Sequence, residues 1–241
     1  MPKLDKKVEL SIRRGYSKDI QRFGALQRWV GNALAEMCIH DERIYSSKVR
    51  LKSIESLLEK IASDPEKRKA VKSYRSAVAK IDDFIGARVI AYLSSSMEDL
   101  HHQLTEFPRF RINQVTIHDQ QHNPVYKNLT EELRKQNSKK TGIFSTGGKL
   151  EIKLNDNGYT GFHYVVAACP VDPFYKNEPG VFPKFELQLR TLIQEAWSEV
   201  NHGVIYKGRS KELIKRQKSA SLKTLAGILL ACDSALSDAA K

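Results

Sequence analysis

Residues 184–191 alternate strictly between apolar and polar side chains. This pattern predicts a β-strand, because successive side chains of an extended chain point to opposite faces. The apolar face carries Phe185, Leu187 and Leu189, and the polar face carries Glu186, Gln188 and Arg190. A carboxylate, an amide and a guanidinium in one row suit a polar ligand. The same pattern also fits a half-buried antiparallel strand whose polar face meets only water.

The composition favours a globular protein with polyanionic partners. The chain has 241 residues and a formal net charge of +12, which favours nucleotides, RNA and anionic surfaces. No run approaches the ~20 apolar residues of a membrane span, and the first residues lack the apolar core of a secretion signal. Cys38, Cys169 and Cys232 have no CxxC spacing, which argues against zinc and disulfides. We therefore expect a cytoplasmic protein with no membrane association.

Hydrophobic patterning predicts an α+β fold with a mixed sheet of about five strands flanked by helices. The predicted strands are 82–92, 110–117, 150–154, 163–169 and 184–191. The predicted helices are 20–44, 53–61, 97–107, 192–206 and 210–240. In the helix 97–107, the residues expected on the solvent side are Asp99, His101 and His102. We divide the chain into a basic helical region (1–45), a central domain (46–207) and a C-terminal helix (208–241), with a long loop at 119–148.

Asp83 and Glu186 are candidates for a magnesium site, although they are far apart along the chain. Mg²⁺ takes one or two protein carboxylates together with phosphate oxygens. The alternative is a pair of unrelated surface acids, and Asp82 competes with Asp83 for any metal role. In a regular strand Asp83 and Arg88 would point to opposite faces. We therefore expect Asp83 at the mouth of its strand, or a β-bulge between the two residues.

The loop 157–163 carries two glycines, which permit backbone shapes closed to other residues and let a ligand approach closely. Tyr159 lies between them and could stack on a base, a contact worth ~1–3 kcal/mol in nucleic-acid complexes. His163 could donate to a phosphate. The alternative is a glycine-rich hairpin turn with a tyrosine at its rim. The loop is not a P-loop, because the GxxxxGK[ST] pattern is absent.

A basic group stands where a helix is predicted to begin, and it consists of Arg50, Lys52 and Lys60. The alternative for such charges is a solvated face. With this group included, four stretches in order resemble the synthetase domain of the RelA/SpoT family of alarmone synthetases. They are Arg50-Leu-Lys52 with Lys60, Asp83-Phe-Ile-Gly86-Ala-Arg88, Gly158-Tyr159-Thr-Gly-Phe-His163, and Glu186-Leu-Gln188-Leu-Arg190-Thr191 with Trp197 and 201–207. The resemblance covers residues 50–207.

The resemblance implies a nucleotidyltransferase-like synthetase fold and an ATP pyrophosphokinase. Such an enzyme moves the β,γ-pyrophosphate of ATP to the ribose 3′-hydroxyl of GDP or GTP, which makes (p)ppGpp and releases AMP. The residues implied to bind ATP are Arg50, Lys52, Lys60 and Arg88. Those implied to be catalytic and to hold the cofactor Mg²⁺ are Asp83 and Glu186, with Glu186 also polarising the 3′-hydroxyl. Those implied to bind the acceptor are Tyr159, His163, Gln188 and Arg190.

The sequence departs from the family pattern on the expected acceptor side, at Gly161, Glu195 and Asn201. These departures leave the acceptor open. A toxic branch of the family pyrophosphorylates the 3′ end of tRNA or makes adenosine alarmones, which would add an antitoxin as a partner. A basic RNA-binding module without turnover is a further alternative, against which Glu186 argues.

Two other features bear on activity and assembly. The His-Asp pairs at 40–41 and 118–119 are isolated and do not resemble the metal site of the family's hydrolase domain, so we expect synthesis without hydrolysis. The apolar run 225–232 in the C-terminal helix could form a homo-oligomer interface or bind a neutralising partner. It could equally pack back on its own domain.

Overall fold

The computed structural model describes residues 4–119, 131, 149–154, 160–169, 184–201 and 212–240. The helices are α1 (Lys6–Cys38), α2 (Ile54–Ser63), α3 (Pro65–Ala70), α4 (Tyr74–Lys80), the 3₁₀ turn η1 (Ser94–Ser96), α5 (Met97–Glu106), α6 (Leu192–Asn201) and α7 (Glu212–Ala239). The strands are β1 (Ile44–Leu51), β2 (Ile85–Ala91), β3 (Phe110–Asp119), β4 (Lys149–Leu154), β5 (Gly161–Ala168) and β6 (Phe185–Thr191). Apart from Asp119 and Glu131, the predicted loop 119–148 lies outside the described residues.

Within the described residues, the strands form one mixed sheet of six in the order β1-β2-β6-β5-β3-β4. The β2–β6 and β3–β4 pairs are parallel, and the β1–β2, β5–β6 and β3–β5 pairs are antiparallel. The predicted α+β class with a mixed sheet is confirmed. The sheet has one strand more than the five expected, because β1 was not predicted. Every residue of this edge strand is half-buried or exposed, so no clear apolar alternation marks it.

The long helix α1 connects two hydrophobic clusters. Its first turn is capped by Asp5, whose Oδ1 accepts hydrogen bonds from the backbone N–H groups of Lys7 and Val8. The residues nearer its start that share a cluster with the helices α2 and α4 are Ile12, Tyr16 and Phe23. Those of its second half that pack on the apolar face of the sheet are Leu26, Trp29, Val30 and Leu34. The predicted start at residue 20 is therefore wrong, because the helix begins at Lys6.

Helix α5 corrects the prediction that His101 faces solvent. His101 is 2% exposed, and its Nδ1 lies 2.8 Å from the hydroxyl of the buried Tyr164 on β5. The buried stripe of the helix consists of Met97, Leu100, His101 and Leu104, at steps of three and four residues. The prediction for His101 is wrong because this polar side chain occupies a position in the apolar stripe. Asp99 is exposed, as expected.

Helix α6 follows β6 directly, and helix α7 packs near the end of the same strand. Thr191, the last residue of β6, donates through Oγ1 to Asp233 Oδ2 on α7 at 2.8 Å. Ser94 in η1 and Ser237 on α7 pair through their hydroxyls at 2.7 Å. On the outer side of α7, Ile228 and Leu236 are more than half exposed. The interface role of the run 225–232 and the division into three parts stay predictions. No described helix is both long enough and apolar enough to cross a bilayer.

Candidate active site

A cavity of about 300 Å³ opens on the polar side of the sheet, where β1, β2 and β6 lie side by side. It is lined by Lys48, Val49, Arg50, Lys52, Asp83, Gly86, Ala87, Arg88, Glu186 and Gln188. The strand register explains the grouping. Gly86 pairs with both Arg50 and Glu186, and Arg88 pairs with both Lys48 and Gln188, so these side chains share one face.

Asp83 lies in the segment that leads into β2, two residues before the strand begins at Ile85. It and Arg88 line the same cavity, because Asp83 is not part of the strand's regular alternation. The neighbouring Phe84 is fully buried and stacks on Phe23 of α1, with ring centroids 5.1 Å apart, which anchors this segment. Asp82 turns away and lies 3.7 Å from Lys184. The expected position of Asp83 at the mouth of its strand is therefore observed.

Two lysines converge on Asp83. The ammonium groups of Lys52 and Lys60 both donate to Asp83 Oδ2. Burial acts to raise the pKa of Asp83, but the positive charges of Lys60 and Lys52 outweigh it, and the pKa is lowered from its ordinary value. Asp83 is thus a carboxylate at neutral pH. Its other oxygen, Oδ1, is buried and has no hydrogen-bond partner among the described residues.

The backbone holds Lys52 in place between β1 and α2. Its N–H donates to the carbonyl of Phe84 at 2.8 Å, and its carbonyl accepts from the Tyr16 hydroxyl at 2.7 Å. Helix α2 then begins with Ser53 as its N-cap, and Lys60 in the last turn of this helix reaches Asp83. Burial lowers the pKa of Lys52, and the opposite charges of Asp83 and Glu186 act against this shift. An anion in the cavity would favour its charged form.

Along β6, the three predicted polar residues form one chain of hydrogen bonds. The Gln188 amide donates to Glu186 Oε1, and Arg190 Nη2 donates to Gln188 Oε1 at 2.6 Å. Arg190 is only 3% exposed, and its Nη1 donates to Glu195 Oε2 at 3.0 Å. These hydrogen bonds hold the Gln188 side chain in a fixed orientation, with its Nε2 toward Glu186 and its Oε1 toward Arg190.

His163 on β5 lies beside the same row. Its Nδ1 is 3.5 Å from Glu186 Oε1, and its ring lies 4.4 Å from that of His118, measured between centroids. Burial lowers the pKa of His163 well below its ordinary value, with help from the neighbouring charges of His118 and Arg190. The imidazole is therefore neutral at pH 7, and its contact with Glu186 is not a full ion pair. Tyr159 lies outside the described residues.

Sequence patterns missed three charged residues around the cavity. Arg88 Nη1 donates to Glu195 Oε1 at 2.7 Å and to Glu199 Oε1 at 2.9 Å, both from helix α6. Lys48 lines the cavity two residues before Arg50 on β1. Recognition of β1 as a strand would have placed Lys48 and Arg50 on one face. No local pattern marks Glu195 and Glu199 as partners of Arg88, since they are distant from it in the sequence.

The carboxylates suit a divalent cation that also binds phosphate. Asp83 and Glu186 line one cavity, and the unpartnered Oδ1 of Asp83 is a hard oxygen ligand without another function in the described structure. Among the described residues, no group of three or more His, Cys, Asp or Glu is arranged to hold a metal ion. Two carboxylates on one cavity fit Mg²⁺, which binds proteins through one or two carboxylates and takes phosphate oxygens and water as its other ligands.

Comparison with known proteins identifies the family. The family model described as the region found in RelA / SpoT proteins matches residues 49–211. A search of curated proteins by sequence gave no match. The family match supports a transferase of the GTP pyrophosphokinase type. The chain belongs to the RelA/SpoT family, as the resemblance predicted.

Solved structures share the fold over nearly the whole chain. A GTP pyrophosphokinase family protein from Streptococcus pneumoniae is 21% identical with a TM-score of 0.59, over 94% of this chain and 91% of that chain. Small alarmone synthetase 2 from Bacillus subtilis is 18% identical with a TM-score of 0.61, over 92% and 96% of the two chains. Small alarmone synthetase 1 from the same organism is 16% identical with a TM-score of 0.59, over 94% of both chains. The synthetase fold is therefore confirmed.

Proposed function

We propose that the protein transfers the β,γ-pyrophosphate of ATP to the ribose 3′-hydroxyl of GDP or GTP, which forms (p)ppGpp and releases AMP. One observation carries the proposal: Asp83 and Glu186 line the same cavity as Arg50, Lys52 and Arg88. Phosphoryl transfer is accelerated mainly by positioning and by neutralising the charge on the phosphates, which is what this residue set provides.

ATP would lie along β1 and β2. The guanidinium groups of Arg50 and Arg88 offer flat faces on which adenine can stack. Lys52 and Lys60 supply the positive charge for the phosphates, which would compete with Asp83 for their ammonium groups. That exchange leaves Asp83 oxygens for a cation. Asp83 and Glu186 would hold Mg²⁺, which when bound supplies charge neutralisation at the phosphates.

The acceptor would lie along β6 and β5. The 3′-hydroxyl would donate its hydrogen bond to Glu186, which is held by Gln188 and lies beside the neutral His163. A carboxylate that accepts this proton makes the oxygen a better nucleophile toward the β-phosphorus. Arg190 holds Gln188 in place from the other side. Tyr159 is proposed to stack on the acceptor base, on the strength of its place in the predicted loop alone.

A guanosine nucleotide is favoured as the acceptor by a related structure. Small alarmone synthetase 1 from B. subtilis, 16% identical with a TM-score of 0.57, has been solved bound to its product pppGpp. The net charge of +12 equally favours a tRNA acceptor, so the assay must include tRNA.

The proposal is tested by incubating the protein with γ-labelled ATP and Mg²⁺ and offering GDP, GTP, ATP or deacylated tRNA in separate reactions. We expect label on the guanosine nucleotides and an equal amount of AMP. Labelled tRNA, or a labelled adenosine 3′-pyrophosphate that separates from ATP, would show the same reaction with a different acceptor. Release of ADP in place of AMP, or no transfer to any acceptor, would overturn the proposal.

The Asp83→Asn and Glu186→Gln variants test the residues behind the proposal. Each removes one negative charge with little change of shape, so we expect transfer to fall by about 100-fold or more while the protein stays folded, which circular dichroism of each variant checks. Asp82→Asn is the matched control, because Asp82 is the neighbouring acid and points to Lys184. If Asp83→Asn keeps as much activity as Asp82→Asn, Asp83 has no role in the transfer.

A further inference from the structure

Glu195 binds two arginines that belong to different strands. Its Oε1 accepts from Arg88 Nη1 on β2 at 2.7 Å, and its Oε2 accepts from Arg190 Nη1 on β6 at 3.0 Å. Each carboxylate oxygen thus serves one guanidinium. Glu195 is 7% exposed, so both contacts are made away from bulk water, where charge-assisted hydrogen bonds are strong.

The two arginines need this carboxylate because they are near neighbours of like charge. In the parallel register of β2 and β6, Arg88 pairs with Gln188 and Ile90 pairs with Arg190, so the arginines are diagonal neighbours on adjacent strands. Arg190 is 3% exposed, and a buried charge is costly unless it is paired and hydrogen-bonded. Glu195 also lies in the first turn of α6, where the helix dipole favours a negative charge.

The arginines point to opposite parts of the proposed site. Arg88 lines the cavity on the ATP side, and Arg190 holds Gln188, which in turn donates to Glu186 on the acceptor side. Pairing at the edge of the Arg88 guanidinium leaves its flat face available for stacking. One carboxylate therefore fixes a group for each substrate.

We propose that Glu195 is a positioning residue that orients Arg88 for ATP and, through Arg190 and Gln188, orients Glu186 for the acceptor. This inference rests on the proposed function. Glu199 provides the comparison, because it also binds Arg88, at 2.9 Å, but is 63% exposed and lies one helical turn further from β6. An exposed ion pair contributes little, so we expect Glu199 to support Arg88 only weakly.

The test is steady-state kinetics of Glu195→Gln, Glu195→Asp and Glu199→Gln with ATP and the guanosine acceptor varied in turn. We expect Glu195→Gln to raise the KM for both substrates by about tenfold or more, because two hydrogen bonds to charged groups lose their anionic partner. Glu195→Asp keeps the charge but shortens the reach by about 1.5 Å, the length of one C–C bond, so it cannot bridge both arginines and restores only one of the two KM values. Glu199→Gln should raise the KM for ATP less than about threefold and leave the KM for the acceptor unchanged.

Several results would overturn the inference, and they differ from failure of the proposed function. If the wild-type protein transfers no label to any acceptor, the proposed function itself is wrong. Active wild-type protein with unchanged KM values in Glu195→Gln, or with a rise for one substrate only, contradicts the double role. If Glu195→Gln does not fold, Glu195→Asp decides the matter: wild-type KM values for both substrates would show that no bridge is needed. Circular dichroism and thermal unfolding of each variant establish which case applies.

Discussion

The buried His101 should make the folded state weaker in acid. His101 is 2% exposed, and its Nδ1 lies 2.8 Å from the hydroxyl of Tyr164, which is itself fully buried. Burial of the imidazole, with a smaller effect of His102, lowers the pKa of His101 from 6.5 to about 3. The folded protein therefore keeps this ring neutral at a pH at which the unfolded chain protonates it.

The sign and size of the effect follow from proton linkage. Below pH 6.5 the unfolded state binds a proton at this position and the folded state does not, so stability falls as the pH falls toward about 3. Each pH unit changes the folding equilibrium about tenfold for a single such group. Between pH 7.5 and 4.5, His101 should therefore cost the folded state about 100-fold, or ~3 kcal/mol.

Urea unfolding at pH 7.5 and pH 4.5 measures this loss. In His101→Asn the amide offers a polar atom to Tyr164 but does not titrate, so this variant should lose ~3 kcal/mol less on acidification than the wild type. His102→Asn is the control, because it changes the neighbouring, partly exposed histidine of the same helix. The same loss in wild type and His101→Asn would refute the reasoning.

Three helix substitutions test the packing and capping of α1 by urea unfolding. A Cβ on Gly15 would come within 2.1 Å of the Tyr74 ring, so Gly15→Ala should destabilise the protein by ~1–3 kcal/mol, although alanine normally favours a helix. Gly31 has nothing within 4 Å of the corresponding position, so Gly31→Ala should stabilise by ~0.5–1 kcal/mol, and the same sign for both variants would contradict the packing. Asp5→Ala removes the helix cap and should cost ~1 kcal/mol, whereas an unchanged midpoint would mean that the cap is not needed.

The strands with a buried face were predictable because their patterns are strong. Residues 184–191 alternate without exception, and the strand β6 (Phe185–Thr191) has Phe185, Leu187 and Leu189 fully buried, as the pattern requires. The edge strand β1 has no fully buried residue, so its side chains carry too little apolar signal to distinguish it from a loop. Residue patterns reveal buried side chains more readily than backbone hydrogen bonds. An edge strand is held mainly by backbone hydrogen bonds to its one neighbour, so its sequence pattern is weak.

Helix α5 and the start of α1 show a different limit. His101 occupies an apolar position of its helix because Tyr164, far away in the sequence, supplies a hydrogen-bond partner. The first half of α1 packs on small helices, and its buried residues Ile12 and Tyr16 are too few to reveal the stripe among many charges. In both cases tertiary contacts decide what local patterning leaves open.

The candidate site was predictable where residues follow strand geometry. The row Glu186, Gln188 and Arg190 forms the expected polar face, and Asp83 and Glu186 line one cavity. The roles of these residues stay predictions. Glu195 was visible in the sequence only as a departure from the family pattern. Its two arginine partners became apparent only when β2, β6 and α6 were brought together.

The central claim is that Asp83 and Glu186 act as one unit on one nucleotide. The most direct test is the rate of AMP formation from ATP and GDP in Asp83→Asn, Glu186→Gln and the double variant. Groups that act as a unit are strongly non-additive, so the account predicts a double variant within a few-fold of the slower single variant. Two results would contradict it. One is a fold-loss of rate in the double variant that equals the product of the two single fold-losses, and the other is a near wild-type rate in either single variant.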